Sequence, residues 1–298
     1  MATIFREGVM RAIPRVTPRF PWPPLRRLAI SPAVYVTLAI LLVVQFLPLL
    51  WALLTSLMTS QETTAVPATL LPAHPTIASY FAALQGDIGH YYSNSSVAAT
   101  VSTVITLVLA TLAAYAFARL RFRFKMTLLL FILSLSLFPP LAQIIPVYQL
   151  LQKLHLIGTL TGLILPYSVT GLPLAVLILI AVFQDVPVEL EEAVVVDGLT
   201  RLGAFLRVIL PISLPGIIAA VVIVFVGDWN EYLFALNFTT PNTYTMPVGI
   251  VTISQTQFTT HFDVLSAATL ISVVPLIIRI LMMQRRMVSG LTAGALGG

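Results

Sequence analysis

The amino-acid sequence predicts an all-α integral membrane protein of six transmembrane helices, with both termini cytoplasmic and a short cytoplasmic helix between the fourth and fifth spans. Three observations carry this. Hydrophobic residues make up 58% of the 298 residues and charged residues only 9%, against about 25% charged in a soluble domain. Six stretches stay apolar for the roughly 20 residues that a helix needs to cross a bilayer. The basic residues then sort by side. Of the 16 Lys and Arg, only Lys153 falls in the three gaps on one side, and the positive-inside rule makes the other side cytoplasmic.

Composition also excludes chemistry. The chain has no cysteine, which rules out disulfides and thiolate metal sites. His74, His90, His155 and His261 stand singly in the chain, so no metal cluster is expected. The lysines are Lys125 and Lys153, and neither follows a glycine. No phosphate-cradling Walker A loop can be written, so any ATP dependence must come from a partner. No catalytic residue is assigned, and no nucleic-acid partner is expected.

Taken in order, residues 1–31 read as a cytoplasmic tail. Pro14, Pro18, Pro21, Pro23 and Pro24 forbid a continuous helix there, and the arginines hold the tail inside. Contact with anionic lipid or a partner is the other reading. The membrane domain covers 32–284, with spans at 33–57, 96–118, 126–150, 160–183, 214–238 and 264–283; 285–298 form a cytoplasmic tail. In the external gap, Ser79-Tyr80-Phe81 predicts a short interfacial helix. Pro139, Pro140 and Pro146 interrupt the third span and Pro166 and Pro173 the fourth, which predicts kinks or local unwinding. The external stretch 237–262 is polar but uncharged apart from His261. It suits contact with a soluble receptor, and ordinary loop composition explains it equally well.

The most informative segment is 185–215, where charge gathers in a chain of apolar blocks. Pro187 suits the start of a helix and Glu189 its first turn. Leu190, Ala193, Val194 and Asp197 fall on one face, with Glu191 and Glu192 beside it. Gly198 then turns the chain, and Leu202, Phe205, Leu206 and Ile209 form a second apolar stripe before Leu210-Pro211. Glu192-Ala193, Asp197-Gly198 and Val208-Ile209-Leu210-Pro211 resemble the EAA signature of permease subunits in bacterial ABC importers, with every spacing kept. Val194 and Leu199 replace the more usual alanines. The resemblance implies a coupling helix seated in a groove of a cytoplasmic ATPase, with Glu191, Glu192, Ala193, Asp197, Gly198, Leu199, Phe205 and Pro211 as the coupling residues.

Three further segments resemble the same family. Tyr115-Ala116-Phe117-Ala118-Arg119-Leu120-Arg121-Phe122 is similar to its Tyr-Ala-x-Ala-Arg-x-x-Phe segment. Gln284-Arg285-Arg286 through Gly290-Leu291-Thr292 to Gly294-Ala295 resembles the tail of maltose-type permeases, which implies that Arg286, Gly290, Leu291 and Thr292 contact the ATPase. Trp229-Asn230-Glu231 resembles the Trp-Asn-acid segment in the fifth span of sugar permeases. Asp at mid-bilayer costs about 2.5–3.5 kcal/mol. Asp228 and Glu231, three apart, are therefore expected to share a helical face turned to a bundle or wet cavity.

Two uses of that stretch stay open. Asp228, Trp229, Asn230, Glu231 and Tyr232 line a solute path, Trp229 stacking on a sugar ring; or Asn230 and Glu231 tie helices together. The resemblance implies a bacterial inner-membrane subunit that imports a di- or oligosaccharide such as trehalose or maltose by alternating access. It further implies a second homologous permease, two ATPase subunits that hold ATP and Mg, an extracytoplasmic solute-binding protein, and surrounding lipid. The competing class is an ion-coupled secondary transporter with Asp228 and Glu231 as proton carriers. An intramembrane hydrolase is poorly supported, because no span holds a histidine or cysteine.

Overall fold

The computed structural model describes residues 32–255 and 260–295, with side-chain surroundings for all of these but 33, 279 and 283–295. The leader at 1–31 lies outside the described residues. Apart from an isolated bridge between Gln255 and Thr260, regular structure among the described residues is helical. In chain order come α1 (Pro32–Ser56), α2 (Ser60–Thr63), α3 (Ala78–Gln85), α4 (Ile88–Arg119), α5 (Lys125–Ser134), α6 (Pro140–Lys153) and α7 (Thr161–Gln184). They are followed by α8 (Val188–Val196), α9 (Arg201–Ala204), α10 (Leu210–Ile212), α11 (Leu214–Trp229), α12 (Leu233–Phe238), α13 (Met246–Ser254) and α14 (Phe262–Ala295).

Four helices are long and apolar enough to cross a membrane, and the number is six if each of two bent pairs is one span. α1, α4, α7 and α14 match the first, second, fourth and sixth predicted spans. The third predicted span is not a straight rod. α5 passes through a 3₁₀ turn and then bends 99° into α6. Pro139 and Pro140 sit at the corner, where neither ring permits the helical hydrogen bond that would carry the rod on. The fifth predicted span also divides, into α11 and α12, and the break falls at Asn230-Glu231-Tyr232.

The chain divides at Leu50–Trp51 into two units. In the first, the large apolar side chains of α1 from Val34 to Leu50 are exposed, as suits a helix bathed in lipid. The second unit is built around α4 and α7, joined by α11, with α14 against α11 and α13. The sequence of α4 explains its place. Ser95, Ala98, Ala99, Ser102, Thr106, Ala110 and Ala114 are buried at three-to-four spacing, while Val97, Val101, Val104, Val108 and Leu112 are exposed. Small residues let two backbones approach where lipid gives no hydrophobic drive for helix pairing. Thr106 Oγ1 takes advantage of that proximity and donates to the Ser168 carbonyl of α7 at 3.1 Å. Gly249 of α13 packs still more closely, since a Cβ there would stand 2.0 Å from the Tyr91 ring.

At one end of the bundle, a capping box opens α2 and organises residues 59–74. Glu62 accepts the N–H groups of Thr59 (2.8 Å), Ala73 (3.0 Å) and His74 (3.1 Å). The Thr59 backbone bond leads the causes that hold the Glu62 carboxyl below its ordinary value of 4.5. A lowered folded value contributes stability that is present above the unfolded value and lost as pH falls through the folded one. Acidification through and below pH 4.5 is therefore expected to loosen this loop. Protection of the Ala73 and His74 amides, measured against their intrinsic exchange rates at each pH, should fall there, and Glu62→Gln should remove the dependence.

Candidate functional site

The hairpin predicted at 185–215 is formed by α8 and α9, and its two sides do different things. Pro187 caps α8, Asp197 ends it, and Gly198 turns the chain at φ +95°. Thr200 Oγ1 then accepts the Gly203 N–H at 3.1 Å and opens α9. From Phe205 to Ile209 the helix widens into a π stretch and continues as α10; the 201–212 run bends 73° into α11.

The side of the hairpin toward the bundle is anchored by Glu191 and Phe205. Glu191 is 8% exposed. Tyr115 OH donates to its Oε1 at 2.6 Å, and Arg119 Nε stands 3.4 Å from its Oε2, an ion-pair contact without hydrogen-bond geometry. Arg119 Nη2 also donates to the Val186 carbonyl. Phe205 stacks obliquely on Tyr115 at 4.4 Å and meets Phe183 edge-on at 6.0 Å. The Tyr115–Arg119 segment thus holds both helices of the hairpin at the end of α4.

The opposite side is open. Glu192, Ala193, Val195, Val196, Asp197, Gly198 and Pro211 are exposed, Val196 at 86%, and Leu199 is half-buried. A cleft of about 1000 Å³ separates α8 from the end of α4, lined by Arg121, Phe122, Glu192, Val195, Val196 and Arg201 among others. The buried face of α8 is not the one that carries Leu190, Ala193, Val194 and Asp197. Leu190 is 43% exposed while Glu191 is buried, because Arg119 and Tyr115 present charge and a hydroxyl to that face.

The polar stretch of the fifth span lies on the unwound turn between α11 and α12. Asp228 and Glu231 do not work from one helical face, since α11 ends between them. Asp228 is buried and accepts the Ser102 hydroxyl of α4 at 2.5 Å. Glu231 caps α12, accepting the Phe234 N–H (2.8 Å), the Ala235 N–H (3.1 Å) and the Tyr167 hydroxyl (2.9 Å). Trp229 is buried against Tyr92 and Phe225, with ring centroids at 5.4 and 5.8 Å. Asn230 is exposed, its amide donating to the Val226 carbonyl at 2.8 Å, and Tyr232 is half-buried.

Arg286, Gly290, Leu291 and Thr292 fall on the last turns of α14, and their side chains lie outside the described residues. Sequence reasoning missed the partners of two buried acids, Tyr115 and Arg119 for Glu191 and Ser102 for Asp228. These contacts bridge 76, 72 and 126 positions. The one available signal was that the positive-inside count assigns Arg119 and Glu191 to the same side of the membrane and that both lack local partners of opposite charge.

Comparison with known proteins gives a consistent result. Residues 106–292 match the family described as "Binding-protein-dependent transport system inner membrane component". The sulfoquinovosyl glycerol transport system permease protein SmoH of Agrobacterium fabrum is 40% identical over 270 residues, covering 90% of this chain and 94% of that protein. The trehalose transport system permease protein SugB of Mycobacterium tuberculosis is 36% identical over 255 residues, covering 85% and 92%. The trehalose/maltose transport system permease protein MalG of Thermococcus litoralis is 32% identical over 255 residues, covering 84% and 91%. Among solved structures, a chain of a bacterial ABC transporter involved in the import of the acidic polysaccharide alginate superposes with TM-score 0.68 at 18% identity, over 84% of this chain and 94% of that one. With its open hairpin rooted in a bundle of kinked spans, the chain belongs to the binding-protein-dependent transport system inner membrane components, the permease subunits of ABC transporters.

Proposed function

We propose that this chain is one of two homologous permeases in an importer that carries a di- or oligosaccharide across the inner membrane. In this reading it spans the membrane six times with both termini inside, α5 with α6 forming the third span and α11 with α12 the fifth. Two cytoplasmic ATPase subunits holding ATP and Mg grip the α8–α9 hairpin, and a solute-binding protein delivers sugar from outside. The observation that carries the reading is the division of the hairpin into an anchored side, Glu191 and Phe205, and an open side, Glu192 to Gly198. Such a body passes a push from a soluble partner into α4 and α11, which alternating access requires. The relatives' names supply the substrate class: trehalose, trehalose/maltose and a glycerol glycoside all join a sugar to a second hydroxyl-bearing group.

The five residues at 228–232 divide on this reading. Glu231 and Trp229 are already engaged by the protein, which supports a structural role for both. Asn230 and Tyr232 keep surface for a sugar's hydroxyls. Asn230→Ala is accordingly expected to raise the KM for sugar uptake several-fold with little change in thermal stability. Glu231→Ala leaves the α12 amides unpaired and should lower the melting temperature, a capping loss of about 0.5–2 kcal/mol. The reading as a whole is tested by uptake of labelled trehalose, maltose and sulfoquinovosyl glycerol into proteoliposomes. Uptake that needs ATP and the binding protein and survives a protonophore supports it. Uptake that collapses with the protonophore while ATP stays high favours ion coupling through Asp228.

A further inference from the structure

At the end of the bundle carrying α2 and α3, external in the proposed topology, a cavity of about 530 Å³ opens between these helices, α13 and the start of α14. Its floor is Asp263, 4% exposed. Ser60 and Ser79 donate their hydroxyls to Asp263 Oδ2 at 3.0 and 2.9 Å, while Oδ1 has no partner. A buried carboxylate without a counter-charge is unfavourable, and among the described residues no Lys, Arg or His stands within ion-pair distance of Asp263. Among the described residues the one ion pair is Arg119–Glu191, and Lys153 is the only basic residue assigned to the outside. His261 lines the cavity without bonding Asp263.

From this geometry we infer that the Asp263 cavity receives a lysine or arginine side chain of the extracytoplasmic solute-binding protein, as an anchoring point for docking. The inference rests on the importer reading, which supplies such a partner on this face. Size and charge select the occupant. A bare metal ion needs several oxygens converging at about 2.3–2.6 Å; here the cavity is far larger, and both serine hydrogens already point at Oδ2. A long basic side chain fills the space and brings its ammonium or guanidinium up to the Asp263 carboxylate at the cavity floor. Glu62, the neighbouring acid, is no competitor, because three backbone N–H groups occupy its carboxylate.

The test uses the complete transporter in nanodiscs and the solute-binding protein of the same system, with stimulated ATPase read against binding-protein concentration. Asp263→Asn is expected to raise the half-maximal concentration about tenfold or more, leaving basal ATPase and the maximum unchanged. If that variant fails to assemble, Ala82→Arg decides: Ala82 is an exposed residue lining the cavity, so an arginine there competes for Asp263 and should raise the half-maximal concentration likewise. Ala82→Cys, unique in a chain without cysteine, should carry a benzophenone cross-link onto a Lys- or Arg-bearing segment of the binding protein. A response unchanged in both charge variants, cross-links confined to lipid or this chain, or stimulation lost on replacing sodium by choline would overturn the inference. Absence of any stimulation in the wild type would instead sink the importer reading.

Discussion

Glu191→Ala is expected to disconnect ATP hydrolysis from transport and to weaken the subunit. Glu191 and Arg119 are 10% and 8% exposed as side chains, and Tyr115 hydrogen-bonds the same carboxylate. Removing one member of a buried pair strands the other charge, a loss of about 3–5 kcal/mol. Part of it falls on stability, so the melting temperature of the purified complex should drop. The rest falls on the rigidity of the hairpin. Stimulated ATPase should persist while uptake per ATP falls by about tenfold or more, which corresponds to only about 1.4 kcal/mol of that total. Glu191→Ala and Arg119→Ala together should cost much less than the sum of their separate effects, because the second change removes a charge that the first had stranded. Additive losses would show that the two side chains act independently.

Gly198→Val is expected to give the second largest effect, by a different route. At φ +95° the backbone lies where L-residues with a Cβ are disfavoured by about 1–2 kcal/mol, and a β-branched residue is worse placed still. No atom lies within 4 Å of the position that a Cβ would take. The strain is therefore in the backbone and not in packing, and the chain relieves it by re-aiming the turn between α8 and α9. Uptake should fall by about tenfold with the melting temperature nearly unchanged. Gly198→Asn, which tolerates positive φ better, should keep most of the activity. Equal losses for valine and asparagine would instead point to a contact that needs the space above Gly198.

Much of the architecture was legible from apolar length alone, because a helix in lipid must satisfy its own backbone and so declares its span in sequence. α4 and α7 follow that rule. The 99° corner at Pro139-Pro140 was readable as an interruption, but its angle depends on what α5 and α6 pack against. At the fifth span, counting by three placed Asp228 and Glu231 on one helical face. That count assumes an unbroken helix, and Glu231 itself ends the assumption by capping α12.

For the hairpin, spacing identified the turn at Gly198 and the two helices. It did not reveal which face is buried, since hydrophobic periodicity points to Leu190 where the fold chooses Glu191. Only the pairing of Arg119 with an acid 72 positions away resolves that. The Asp263 cavity left no mark in sequence at all, because its serines come from two separate helices, α2 and α3, far along the chain from Asp263.

The most direct measurement is the rate at which a maleimide labels Val196→Cys, an exposed position on the open face of the hairpin in a chain with no native cysteine. The account predicts rapid labelling of the isolated permease and protection of about tenfold or more once the ATPase is bound, with a cross-linker at that cysteine joining the two subunits. Equal labelling in the isolated permease and in the assembled, nucleotide-bound transporter would contradict it.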